Sequence, residues 1–230
     1  MLLLLLVLAG ATLVLRGLPD APLLPAGWAP WRPLDVSAAP GPATRWQLER
    51  AQADAGRCQA ALATSALRRR PAIDREEPGG CGYHGAVQVG GLARDVGVGT
   101  PFVLSCPAAL DLAMWMRHDL RGAALAELGS PLTAIQHAGS YACRNIYGRA
   151  DARRSRHATA DALDVRGFVL ADGRRIGLAR DWGREDARGR FLRQVRNGAC
   201  RWFDVVLGPD YNAAHHDHLH LEHGRGRLCR

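Results

Sequence analysis

Between Asp217 and Glu222 the chain reads Asp-His-Leu-His-Leu-Glu, and this alternation limits what the segment can become. As a β-strand it sets His218, His220 and Glu222 on one face and Leu219 and Leu221 on the other, because successive side chains point to opposite sides of a sheet. The leucines then enter a core while the histidines face a cleft. The wider stretch from Ala213 to Gly224 holds five of the nine histidines: His215, His216, His218, His220 and His223. A histidine-rich surface tail that binds metal loosely is the competing reading of such a tract, but a tail has no need of leucines in register.

About sixty residues upstream, the run from Ser155 to Asp164 offers a second pair of donors, His157 and Asp164. Imidazoles and a carboxylate drawn from two separated segments are the ligand chemistry of a catalytic zinc. On a strand, Asp164 points opposite to Leu163 and Val165, as a carboxylate aimed into a cleft must. His157 precedes that strand in a loop from which it can fold over Asp164.

The chain of 230 residues is long enough for one domain of ordinary size with a flanking segment. Its net charge of +8 could serve an anionic partner, but all 30 basic residues are arginines scattered along the whole length. No stacking aromatics interleave them, so no nucleic acid partner is expected. No obligate protein partner is evident either.

Met1 to Leu15 is almost wholly apolar and stops at Arg16. As a helix these residues reach only about 20 Å, short of the roughly 30 Å of a bilayer's hydrocarbon core. A weak small-residue site at Ala9-Gly10-Ala11 leaves a cleaved signal open. The reading preferred is an uncleaved anchor over residues 1–16. Residues 17–44 carry seven of the thirteen prolines and read as a stiff spacer, with the domain proper over 45–230. Six well-separated cysteines, none in a CxxC pair, fit three disulfides in an oxidising compartment. Fifteen pairings are open to them. The expected location is the bacterial periplasm or cell envelope, with the inner membrane as the partner of the N-terminal segment.

Helical spacing runs from Trp46 to Ser65, broken at Gly56-Arg57-Cys58, and Glu76 to Gly80 reads as a loop. A short strand is expected at Ala86 to Val89. The longest helical pattern spans Cys106 to Leu128, with Pro107 suited to a first turn and Leu110, Met114, Met116 and Leu120 gathered near one face. Gly129-Ser130-Pro131 ends it. Leu132 to Tyr141 suits a strand. Leu163 to Leu170 and Arg174 to Leu178 flank a turn at Ala171-Asp172-Gly173. Phe191 to Arg196 is helical and stops at Asn197-Gly198, and Val205 to Leu207 and His218 to Leu221 are short strands. Early helices followed by strands predict an α+β fold, helices packed on a small, mainly antiparallel sheet that carries the site.

Ser155, His157, Ala162 and Asp164 match the SxHxxGxAxD pattern, and His215, His218 and His220 the HxxHxH pattern, of the LAS metallopeptidases. These are the lysostaphin-type endopeptidases, D-Ala-D-Ala peptidases and hedgehog-type domains. Gly139 to Asn145, Ser155 to Asp164, Gly198 to Arg201 and Leu207 to Asn212 together resemble the bacterial extensin-like C-terminal domain family, over roughly residues 55–230.

The resemblance implies that His157, Asp164 and His220 hold one zinc ion, with the fourth position open to water or substrate. It further implies His218 as general base, His215 as its helper in moving a proton or steadying charge, and Arg144 beside the substrate's carbonyl or carboxylate. Ala160 departs from the pattern's glycine, and Asp161 could compete for the metal. Asp217 is expected to orient a histidine, while His216 and His223 stand apart and Glu222 has no assigned part.

The activity implied is hydrolysis of peptide bonds in peptidoglycan stem or cross-bridge peptides. Two other readings stay open: a catalytically silent, zinc-containing module that binds the cell envelope, and a metal buffer built on the histidine-rich strand.

Overall fold

Asp54 cuts the first helical stretch in two. A computed structural model describes residues 24–230, and in it helices α1 (Thr44–Gln52) and α2 (Ala55–Ala63) meet at Asp54, whose side chain accepts from the Arg57 backbone N–H at 2.8 Å. The break expected at Gly56-Arg57-Cys58 therefore lies inside α2. An aspartate satisfying an orphan N–H of the first turn starts a helix more firmly than one glycine interrupts it. The expected anchor over residues 1–16 and the first part of the linker, 17–23, fall outside the described residues. Among those described, no helix is long and apolar enough to cross a membrane.

The proline-rich stretch read as a spacer packs against the domain from Ala26 onward. Gln47 Nε2 donates to the carbonyls of Ala26 and Ala29 at 2.9 and 2.8 Å, and the Val36 N–H donates to Thr64 Oγ1. Leu34 and Val36 are buried in the main core. Two glycines allow the chain to fold back here: a Cβ on Gly27 would sit 2.5 Å from the Gly41 nitrogen.

Five strands follow: β1 (Arg68–Pro71), β2 (Arg75–Glu77), β3 (Cys81–Tyr83), β4 (Val87–Ala93) and β5 (Val96–Leu104). The loop expected at Glu76 to Gly80 shrinks to the turn of the β2–β3 hairpin. Next comes α3 (Cys106–Trp115), capped by Ser105 with Pro107 in its first turn. It runs through a π-helical turn, Met116–Leu120, into α4 (Arg121–Leu128), which ends at left-handed Gly129. Nine of the ten residues of α3 are buried, so this is a central helix rather than one with a single apolar face.

The remaining elements are β6 (Leu132–Gly139), β7 (Ala162–Leu170), β8 (Arg175–Gly177), α5 (Leu178–Asp181), α6 (Ala187–Trp202), β9 (Val205–Leu207), β10 (Leu219–Glu222) and β11 (Leu228–Cys229). Among the described residues, nine strands form one sheet in the order β1-β4-β5-β6-β7-β10-β9-β11, with β8 also paired to β7. All pairings are antiparallel except β5–β6 and β9–β11. The fold is thus α+β, with a larger sheet than expected. Between Val165 and Gly167 the register with β6 slips, a bulge that turns Phe168 to the same side as Leu163 and Val165. There Phe168 meets Trp115 and Phe191 edge-on.

Helix α6 does not stop at Asn197-Gly198. It begins at Asp186, whose side chain accepts from the Arg188 N–H, and continues to Trp202. Gly198 is there for close approach: a Cβ would lie 2.6 Å from the Asp119 Cβ. Asp119 in turn accepts from Trp202 Nε1 at 2.6 Å and pairs with Arg201, locking α6 to the π-helical turn.

Disulfides join Cys58 to Cys106, Cys81 to Cys143 and Cys200 to Cys229, so all six cysteines are used. They tie α2 to α3, β3 to the loop after β6, and α6 to the chain's last strand. The glycine contact yields a direct test. Gly198→Ala should lower unfolding stability by about 1–3 kcal/mol through overpacking, read as a shifted midpoint in chemical denaturation; an unchanged midpoint would refute the packing account.

Candidate metal centre

Asp164 and His220 are brought together by strand register. Strands β7 and β10 pair antiparallel with Asp164 directly opposite His220 and Val165 opposite Leu219. Leu219 and Leu221 are fully buried on one face, which leaves His220 and Glu222 on the other. His157 arrives from a short 3₁₀ turn, Arg156–Thr159, opened by Ser155, whose hydroxyl accepts from the His157 N–H at 3.3 Å. The turn closes on Ala160 at φ 56°, the left-handed region that favours glycine. Ala160 keeps the turn that the pattern's glycine would make, at a cost of roughly 1–2 kcal/mol.

His157, Asp164 and His220 form a cluster whose candidate ligand atoms all lie within 4.8 Å of one another. His157 Nε2 is 3.2 Å from Asp164 Oδ2 and 3.2 Å from His220 Nδ1, and His220 Nδ1 is 3.0 Å from Asp164 Oδ1. The outer nitrogens are occupied. His157 Nδ1 lies 2.8 Å from the Ser140 carbonyl, which can only accept, so Nδ1 carries the hydrogen and Nε2 turns its lone pair inward. His220 Nε2 lies 3.0 Å from Glu222 Oε2, and Nδ1 turns inward likewise. Lone pair then faces lone pair, an arrangement that calls for a proton or a cation between them.

The charges agree with that geometry. Burial opposes ionisation of Asp164, yet the imidazoles of His157 and His220 against it hold its carboxyl well below the usual carboxylate range. Burial also opposes charge on His220, but hydrogen bonds to Asp164 and Glu222 push it up to about 9. Two imidazole nitrogens, each with its ring's outer side held, and one carboxylate oxygen suit a metal of nitrogen and oxygen preference with room for further coordination.

The cluster lies on the wall of a cleft of about 610 Å³, lined also by Arg144, Tyr147, Arg153, Tyr211, His215 and His218. His218 Nδ1 donates to Asp217 Oδ1 at 2.8 Å, which leaves Nε2 unprotonated in the neutral ring, 3.6 Å from Asp164 Oδ1. Arg166 stands behind Asp217 at 3.5 Å. His215 Nδ1 donates to Asn212 Oδ1 at 2.8 Å. Burial, then the neighbouring imidazoles of His220 and His218, lowers His215 to about 4, so this ring is neutral at ordinary pH. Arg144 is exposed at the cleft, next to the disulfide-bonded Cys143.

Other residues singled out lie outside the cluster. Asp161 accepts from Thr159 Oγ1 at 2.6 Å and faces Arg156. His216 is exposed. His223, expected to stand apart, has a structural partner: its Nδ1 is 3.1 Å from Asp111, a fully buried carboxylate of α3. Burial raises Asp111 to about 6, the bonds to His223 opposing that rise. Glu222, left without a part, holds His220; its position two residues along the same strand face was the available signal. The Ser140 carbonyl had none, since every residue carries one.

Residues 56–230 match the family described as Extensin-like protein C-terminus. No curated protein and no solved structure matches the chain. The matched span holds β7, β10, the turn that carries His157 and every residue of the cleft named above, and on that match the chain belongs to the extensin-like protein C-terminus family.

Proposed function

We propose that this chain is an exported zinc-dependent peptidase, related to the LAS metallopeptidases, that hydrolyses peptide bonds in peptidoglycan stem or cross-bridge peptides. The observation that carries the reading is the trio His157, Asp164 and His220, with their inner atoms gathered at one point and the outer histidine nitrogens fixed, on the wall of an open cleft. Zinc bound there supplies a Lewis acid that polarises a carbonyl and acidifies water. Three disulfides support an oxidising compartment, the periplasm or cell envelope, with residues 1–16 as anchor to the inner membrane.

His218 is the general base. Asp217 fixes its Nδ1–H, so Nε2 faces the cleft ready to take a proton and later return it to the leaving amine. Asp217 is itself held ionised by that bond and by Arg166. His215, kept neutral, serves as a hydrogen-bonding partner beside His218 rather than a standing positive charge. Arg144 offers a planar fork to a substrate carboxylate or to the oxyanion that develops as the carbonyl is attacked.

Mass spectrometry of muropeptide digests tests the reading. Wild type should release peptide fragments, His220→Ala none, and His218→Gln should retain zinc while losing about 10²–10⁴-fold in kcat. Stoichiometric zinc with no turnover, and sacculus binding untouched by His218→Ala, would point instead to the silent envelope-binding module.

Metal uptake should also be proton-linked. His220 holds a proton up to about 9 that a metal must displace, whereas Asp164 is already ionised. Zinc affinity of the metal-free protein should therefore fall as pH drops below 9, with about one proton released per ion at pH 7. Calorimetry in buffers of different ionisation enthalpy reads this directly, and a heat independent of buffer would contradict it. Glu222→Gln should weaken zinc binding about 10–100-fold, measured by chelator competition; an unaltered affinity would remove Glu222 from the site.

A further inference from the structure

We infer that the folded domain itself rests on a lipid bilayer, through a tryptophan face formed by Trp28, Trp31 and Trp46. The six tryptophans divide cleanly. Trp115, Trp182 and Trp202 are buried, whereas Trp28, Trp31 and Trp46 are 56%, 39% and 46% exposed. Those three are the first in the chain and belong to one surface. Gln47 fastens α1 to the turn that holds Trp28, and the Arg50 guanidinium lies 4.6 Å over the Trp46 ring while its Nη1 reaches the carbonyl of Pro30, beside Trp31. Single exposed indoles are ordinary, but a cluster of them marks a contact surface.

The occupant is the interface of the membrane that residues 1–15 would enter. Nine residue steps separate Leu15 from Leu24, where the described chain begins, so at most about 30 Å of extended chain lies between the apolar run and the face. Indoles prefer the headgroup level of a bilayer, where the ring is dry and the N–H wet, and Arg50 among them suits anionic headgroups. This inference rests on the anchor reading in the proposed function, and is independent of the peptidase chemistry.

The test uses the full chain with vesicles of phosphatidylethanolamine and a minority of phosphatidylglycerol carrying brominated acyl chains. Residues 1–23 contain no tryptophan, so emission reports the domain alone. Brominated lipid should quench roughly half of the emission, because three of six indoles reach the interface. In the Trp28→Phe/Trp31→Phe/Trp46→Phe variant the remaining emission, from buried rings, should be insensitive to bromine. A chain that floats with the vesicles yet shows unchanged emission overturns the face and leaves the anchor standing. Failure both to float and to be quenched overturns face and anchor together, and quenching that survives in the triple variant overturns the assignment of these residues.

Discussion

The candidate site depends on one pairing, the antiparallel register that sets Asp164 of β7 across from His220 of β10. Because side chains alternate, a slip of a single residue would turn His220 into the core and bring Leu219 and Leu221 out to the cleft. Burial of those two leucines stabilises the observed register by roughly 3–6 kcal/mol, about what two buried leucines contribute against exposure. The apolar half of the alternation therefore holds the polar half in place. Strand β10 is pinned from both sides, by β7 and by β9, where Leu207 lies opposite His220. The same ladder continues through Asp164 to Gly139 of β6, next to the Ser140 carbonyl that orients His157.

Around that ladder, polar groups are arranged so that each histidine of the cleft has an outward restraint. Ser140 and Glu222 occupy the far nitrogens of His157 and His220, Asp217 that of His218, and Asn212 that of His215. A histidine restrained in this way has its tautomer and ring orientation settled before any ligand arrives. The restraints come from four different places in the chain, two of them within two residues of the histidine they hold. The disulfide between Cys81 and Cys143 fastens the loop after β6, which supplies both Ser140 and Arg144.

Much of this was legible in the amino-acid sequence where a local signal coincided with a global one. The period-two run at residues 218–222, the Asp172-Gly173 turn and the helix from Ser105 to Gly129 all appear close to where the pattern places them. Signals that depend on a distant partner were misread. Gly198 looks like a helix stop and is instead a contact point for Asp119; Leu34 and Val36 look like spacer residues until the core that covers them is present. Strands β1 and β5 went unread, the first because Arg68-Arg69-Arg70-Pro71 has no apolar face and the second because its glycines and proline mask a paired strand. At the site, His157, Asp164 and His220 could be named from spacing and resemblance, whereas backbone restraints such as the Ser140 carbonyl leave no trace in residue identity.

Both borders of the sheet are built to refuse another strand. On one side β1 presents three arginines and a proline, so an incoming chain would meet repulsive charge and a missing N–H. On the other, β11 is two residues long, clipped to α6 by the Cys200–Cys229 disulfide, while the Gly208 N–H donates to the carbonyl of Arg230. A nine-stranded sheet with open borders would be a template for aggregation. Here β11 closes the border one strand beyond the histidine strand, across β9, so that the edge nearest the cleft is held to α6 by a covalent bond.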